Sequence, residues 1–470
     1  MNNRLPIIAF SPLRTMVQGL AMVAFAVWSI VACTPQDEEF TPNASAILKF
    51  EADTVVFDTV FTEVGSVTKR LKVYNSNQNA VRISEIKVAG MGASPFKVFV
   101  NGRPGPLLES VEVRGGDSLL LLVKATINPT ADNQPFLVRD SIQFLTNGNQ
   151  QQVILEAYGQ NAAFYRKYTA GCAETWTASK AHVIYDSVTV PAGCTLIIEK
   201  GAQIHLHKNA KLKVLGTLLV RGEEKERVRF QQVRQEEDYR NAPGQWQGLE
   251  FGPTSTGNKM QYTEIKNAVT GILLTAQGNQ IPSITLEQTF IKTMLQSGVL
   301  SHGGNVNLIN SIITNCGEYA LAGLGGGQYK IYFSTLANYA NDFVRFTPSF
   351  VFQEDLGNTR KARYQVEVVN SILWGRQDEE LQFGPATLGS TRAIRHSFVK
   401  TVAYAAELAG NNNQINVDPK FRDAPKFDFQ IIKLSPANKA GTPLAGILLD
   451  YEAKERDKTT PDVGALEVID

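Results

Sequence analysis

Two clusters of carboxylates stand where this chain could carry out acid–base chemistry. Glu236, Glu237 and Asp238 lie in a charged stretch from about Gln231 to Gln245 that also holds Arg234, Tyr239 and Arg240. Asp378, Glu379 and Glu380 follow Trp374 and Arg376. Hydrolysis of a glycosidic bond needs two carboxyl groups facing one cleft at a set separation. The candidates are Glu236, Asp238, Asp378 and Glu380, and Asp238 could work with Asp378 or Glu380 only if the elements carrying them align. Elimination at an acidic sugar would need a basic residue to take the proton and carboxylates to hold calcium. Glu236-Glu237-Asp238 is too contiguous to converge on one ion, so calcium enters only if the chain is an enzyme. The bland reading of all these groups is solvated loop charge. Tyr239, Trp246, Phe352 and Trp374, with Arg240 beside the first, could bind a sugar by stacking, and burial in a core explains each ring separately as well. His205 and His207 stand two apart and could share a strand face, but no third metal ligand is evident near them. No CxxC or Cys/His zinc spacing occurs, so no metal is assigned.

Composition narrows the partners. The 470 residues carry 46 basic against 45 acidic side chains, without a long basic run. Neutralising phosphates takes clustered Lys and Arg, so nucleic acid is excluded as a partner. Hydrophobic residues make up 43% of the chain, enough to bury a core. Of the four cysteines, Cys172 and Cys194 flank the start of a second domain and could form a disulfide; buried free thiols are the alternative.

The elements that must position these groups are strands. From Ile47 to about Gly159, short strands such as Lys69–Tyr74, Ser118–Val123 and Asp140–Leu145 alternate with turns such as Gly115-Gly116-Asp117. This is the pattern of a β-sandwich. The second half carries a repeat. Segments beginning at Tyr262, Gln288, Asn310, Phe333, Asn370 and His396 each place Ser or Thr second, an aliphatic residue two later, and Asn, Thr or Gly two beyond that. The hydroxyl positions 263, 289, 311, 334, 371 and 397 are spaced by 26, 22, 23, 37 and 26. Coils of this length with short strands and tight turns predict a right-handed parallel β-helix of about ten coils, the aliphatic side chain inward and Asn or Gly in the left-handed corner. The jump to 37 marks a second excursion, with Arg345, Phe352, Glu354, Asp355 and Arg360. Strands from Val188 to Val220 extend the coils toward the N-terminus.

Several stretches resemble known families. Arg4 and Arg14, an uncharged run from Met16 to Ala32 and then Ile30-Val31-Ala32-Cys33 resemble a bacterial lipoprotein signal, which implies cleavage before Cys33 and its acylation. Gln36-Asp37-Glu38-Glu39 resembles the acidic export tag of Bacteroidetes-type lipoproteins, which implies the outer membrane, facing the exterior. Phe57-Asp58-Thr59-Val60-Phe61 and Glu156-Ala157-Tyr158-Gly159-Gln160 resemble the immunoglobulin-like module of such proteins. Pro191 to Gly222 is similar to the entry coils of β-helix surface proteins, and Asp418-Pro419, Leu434-Ser435-Pro436 and Asp462-Val463-Gly464-Ala465-Leu466-Glu467 resemble their closing signature. The resemblance therefore implies an all-β surface lipoprotein. Its parts are a signal over 1–32, a tether over 33–45, a sandwich over 46–160, the β-helix over 161–417 and a C-terminal cap over 418–470. It brings no agreed activity. A recognition or display scaffold for glycan or a partner protein is the expected function; a polysaccharide lyase or glycoside hydrolase, or an envelope stalk, are the alternatives.

Overall fold

The computed structural model describes residues 38–131, 133, 135–339 and 343–468; Cys33, the signal and the start of the tether lie outside the described residues. No helix among the described residues is long and apolar enough to cross a membrane. The chain forms two compact units, the first made of residues up to 57, 66–126 and 138–157, and the second of residues 58–65, 127–137 and everything from 158.

The first unit is built on two five-stranded sheets. One orders Lys49–Phe50, Lys69–Tyr74, Ser118–Ala125, Phe96–Val100 and Arg103–Pro104 as antiparallel neighbours. In the other, Val81–Val88 lies antiparallel between Leu107–Val113 and Phe136–Thr146. Alternation sends Leu71, Val73, Leu119, Leu121 and Val123 to the buried side, with Lys72, Leu120 and Lys124 between them exposed.

The second unit winds as a parallel β-helix. Three long parallel sheets, of eleven, nine and nine strands, each take every third strand of the chain apart from the last strand of the longest, Gln414–Ile415, so one turn contributes one strand to each. Nine complete coils result among the described residues. Inward positions are almost all aliphatic or aromatic: Ile204, Phe230, Ile265, Ile291, Ile313, Leu336 and Leu373 follow one another up the longest sheet. Cys172 and Cys194 are joined as a disulfide between the first two coils.

The six repeats explain how the coils turn. The corner before the longest-sheet strand of each repeat is a left-handed residue, the first of the repeat. Tyr262, Gln288, Asn310, Phe333, Asn370 and His396 all have φ between 42° and 53°. Asn267, Thr293 and Asn315 at the sixth position are left-handed as well. A left-handed conformation costs a residue with a Cβ about 1–2 kcal/mol, and the hydroxyl that follows offsets it. The second-position Ser or Thr reaches back over the corner to the carbonyl two residues earlier, for example Ser311 to Ile309 at 2.9 Å and Ser371 to Val369 at 2.9 Å. The same oxygen accepts the backbone N–H of the coil before. Thr289 N–H donates to Ser311 Oγ, Ser311 N–H to Ser334 Oγ, Ser334 N–H to Ser371 Oγ and Ser371 N–H to Ser397 Oγ, all at 3.1–3.2 Å. The ladder ends where Ser397 N–H donates to Asn413 Oδ1 at 3.0 Å.

The corner side chains are large because something packs on them. The tail from Asp418 does not close the last coil as a cap; it runs along the outer face of the longest sheet. Ala424, Phe429, Ile431, Val463, Ala465 and Leu466 cover Ile312, Ala337, Ile372, Trp374 and Phe398 there. Asn310 Nδ2 donates to the Leu449 carbonyl at 2.8 Å, and Asn370 Nδ2 to that of Thr442 at 2.7 Å. The last coils are closed instead by residues 402–417, whose short helix Ala405–Leu408 sends Leu408 into the interior core with Tyr404 and Ile415 against it.

Candidate functional site

The fourth coil carries the longest single connection between strands of the β-helix among the described residues. Its strands Val228–Gln232 and Gly248–Phe251 are joined by residues 233–247, which contain a one-turn helix, Glu237–Arg240. Side chains of the coil itself hold this excursion down. Gln232 Nε2 donates to the carbonyls of Tyr239 at 3.1 Å and Arg240 at 3.3 Å, and Asn267 Nδ2 to that of Ala242 at 2.7 Å. Its return runs through the interior, because Trp246 is fully buried and donates its indole N–H to the Lys266 carbonyl at 2.9 Å.

One side of the excursion faces a cleft of about 460 Å³ lined by His207, Lys208, Gln232, Arg234, Tyr239 and Gln245, among others. Arg234 lies over the Tyr239 ring at 3.3 Å and pairs with Glu236 at 3.4 Å. Gln232 Oε1 is buried on the wall of this cleft with no donor, whereas Arg234 Nε and Glu236 Oε2 face each other as an ion pair. A buried polar atom left unpaired costs about 1–3 kcal/mol, which a ligand offering hydroxyl groups would relieve. No protein-family model and no curated protein matches this chain. Among solved structures, the chain is similar over 70% of its length to 78% of a GH87 alpha-1,3-glucanase from Streptomyces thermodiastaticus, at 10% identity and TM-score 0.24. It is similar over 27% of its length to a family 123 glycoside hydrolase from Clostridium perfringens (8% identity, TM-score 0.19), and over 24% to the E. coli chaperone DraB (14% identity, TM-score 0.17). It spans 30% and 55% of those two chains respectively. Likeness at these scores carries no argument about activity.

The carboxylates proposed from sequence do not meet. Asp238 is exposed on the excursion of the fourth coil and Asp378 is exposed at the same corner of the ninth. Five strand spacings of about 4.8 Å separate those coils, roughly 24 Å, whereas the two carboxyl groups of a glycosidase stand about 5–9.5 Å apart. Glu236 is mostly buried beside Arg234. Glu380 is corrected from catalytic candidate to structural anchor. Its buried carboxylate pairs with Arg345 at 2.6 Å and accepts the N–H groups of Ser349 at 3.0 Å and Gln377 at 2.9 Å. Of the proposed sugar-binding rings, Trp246 is interior, and so is Phe352, whose ring lies 4.8 Å from Tyr329 and 5.8 Å from Phe383. Trp374 faces outward but lies under the tail. Only Tyr239 and Arg240 remain reachable at the excursion. No group of three or more His, Cys, Asp or Glu among the described residues could hold a metal ion.

His205 and His207 part ways. His207 is exposed at the cleft, while His205 is buried with its Nδ1 3.3 Å from the Gln232 carbonyl. Burial pushes the His205 imidazole down to about 4, against the hydrogen bond to Gln232, with Lys266 and His182 adding to the fall. The unfolded chain therefore takes up a proton at this residue near pH 6.5, and the folded protein only near pH 4. The expected result is stability that is level above pH 6.5 and falls between 6.5 and 4, with about 3 kcal/mol from this group. Urea midpoints at pH 7, 5.5 and 4 should fall more steeply for the native protein than for His205→Gln; parallel curves would refute the assignment.

Proposed function

We propose that the protein is a non-catalytic recognition scaffold held at the outer surface of the outer membrane by acyl chains on Cys33. The N-terminal sheets serve as an immunoglobulin-like spacer, and a right-handed β-helix presents a glycan-binding face. The observation that carries this reading is the cleft beside the coil-four excursion, where Gln232 Oε1 stands buried without a donor next to Arg234 and Tyr239. A polyhydroxylated ligand supplies donors for that oxygen and an edge for the tyrosine ring, while Asp238 and Asp378 stand too far apart to share a hydrolytic step. A rigid β-helix keeps such a site fixed without ligand-induced closure.

The test is affinity electrophoresis of the protein through gels containing plant, host and microbial polysaccharides in turn. Retardation by at least one polymer is expected, and Gln232→Leu with Tyr239→Ala should release it by about tenfold in Kd, the equivalent of one or two lost polar contacts. Free migration in every gel would contradict glycan recognition and favour a stalk or a protein partner.

A further inference from the structure

The same excursion borders a second cleft on its other side, of about 400 Å³, on the outer face of the longest sheet. Arg229, Gln231 and Lys266 form its floor from adjacent strands, and Gln235 and Arg240 overhang it from the excursion. Asp58 and Thr59, which belong to the same compact unit, stand at its edge. Strand register explains why cations gather here. Ile265 points inward, so Glu264 and Lys266 point outward, and Lys292 of the next coil pairs in register with Lys266. The outer face of this sheet is apolar further along, from Ile312 to Phe398, where the tail covers it, and polar here.

The charges do not cancel. Glu264 is engaged twice, by Arg229 at 3.3 Å and by Lys292 at 2.9 Å. Burial alone would raise its carboxyl, but Lys292, Lys266 and Arg229 hold it below the ordinary value. Neither Lys266 nor Arg240 has a carboxylate within ion-pair distance among the described residues, leaving Asp58 as the one further acid on the rim. Lys266 is half-buried, and burial together with Lys292, Arg229 and Arg240 draws its ammonium below the ordinary value despite Glu264. A cation held among cations, partly out of water, is stabilised by an arriving anion. Gln231 and Gln235 add amide donors beside it.

We propose that this cleft is a subsite for an anionic substituent, a carboxylate or a sulfate ester, so that the glycan recognised by the protein is an acidic one. The inference rests on the glycan-binding reading above and narrows it. The two clefts share the excursion as a common wall, so one chain crossing it presents hydroxyl groups to Gln232 and Arg234 on one side and its charge to Lys266 and Arg240 on the other.

The experiment measures retardation and Kd of the full-length protein with polygalacturonate, dextran sulfate and neutral dextran, at about 50 mM and about 300 mM NaCl. The first two polymers separate carboxylate from sulfate as the source of charge. At least one acidic polymer should bind with a Kd that weakens with salt, and Arg240→Gln and Lys266→Gln should each weaken it by about tenfold or more. Lys213→Gln, an exposed change on another sheet, should leave it unchanged. Arg240 is exposed, so its substitution reports on the cleft even if Lys266→Gln lowers stability. Binding to dextran alone would overturn the acidic assignment and leave glycan recognition standing. Acidic-polymer binding that ignores both substitutions would also overturn it. No binding to any of the three, with retardation by another neutral polymer, overturns this subsite alone; free migration with every polysaccharide overturns both readings.

Discussion

Replacing Glu380 by alanine should lower the unfolding free energy by about 3–5 kcal/mol, the usual cost of stripping one partner from a buried ion pair. The loop between the strands Thr335–Asn338 and Phe350–Gln353 has no apolar anchor of its own at Val344 and Phe346, which are 80% and 88% exposed. What holds it is Arg345 between them. Its guanidinium is buried against Glu380 and donates to the carbonyls of Asn338 and Thr347. Glu380 in turn takes the amides of Ser349 and Gln377, and Gly375 leaves room for it, since a Cβ there would lie 2.0 Å from Glu380 Oε1. Removing the carboxylate strands a charge in a dry corner of the eighth and ninth coils. A double variant distinguishes this from simple packing loss. Arg345→Met with Glu380→Met removes both charges together and should cost less than Glu380→Ala alone, because no uncompensated ion remains. Urea unfolding followed by circular dichroism reads both variants. A double variant as unstable as Glu380→Ala would contradict the account.

The second large effect is expected at Arg456, which fastens the tail to the coils. This buried guanidinium bonds Glu467 at 3.1 Å, Asn310 Oδ1 at 2.9 Å and the carbonyls of Gly464 at 3.0 Å and Ala465 at 3.1 Å. It lies 4.1 Å over the ring of Phe333. Asn310 and Phe333 are two of the left-handed corner residues, so the arginine joins the tail to the ladder. Arg456→Ala should cost about 3–5 kcal/mol by leaving Glu467 and several carbonyls unpaired. The loss should be local. Arg227, which donates to the carbonyls of Tyr451 at 2.9 Å and Gln288 at 2.7 Å, still ties the tail at Tyr451. Limited proteolysis of the variant should therefore cut within residues 430–468 first, while hydrogen exchange in the strands Ile312–Cys316 and Thr335–Asn338 stays slow. Simultaneous loss of protection in tail and coils would show that the tail is part of one cooperative unit with the helix.

The coils were legible because their chemistry is periodic. Ser or Thr at the second position of each repeat has two bonds to make, one across the corner and one to the neighbouring coil, so the hydroxyl recurs wherever a coil turns. The corner was legible in part: asparagine holds positive φ as expected at Asn267, Asn310, Asn315 and Asn370, whereas Tyr262 and Phe333 also hold it, their side chains engaged by the tail's partners or by the tail itself. That long-range packing leaves no local mark in sequence, which is also why the tail read as an end cap. The site was half legible. Charge density pointed to the excursion, but whether a loop aromatic is a platform or a core residue depends on where the loop re-enters, and Trp246 and Phe352 turn inward. Asp238 and Asp378 lie at the same corner, and only the count of coils between them separates the pair. Lys266 was within reach: once Ile265 is assigned inward, its neighbour must face out, beside Lys292 of the next repeat. Gln232 gave no such signal, since a glutamine at a strand end looks the same whether it faces solvent or an excursion folded back over it.

The central claim is that the protein binds a glycan and leaves it intact. The direct measurement is to incubate the protein with each polymer that retards it, with and without calcium, and to record new reducing ends and the absorbance of unsaturated products over time. Retardation with neither signal rising above a protein-free control is the result expected. Release of reducing ends or unsaturated products from any retarding polymer would contradict it and send the search for catalytic groups back to Asp238 and Asp378.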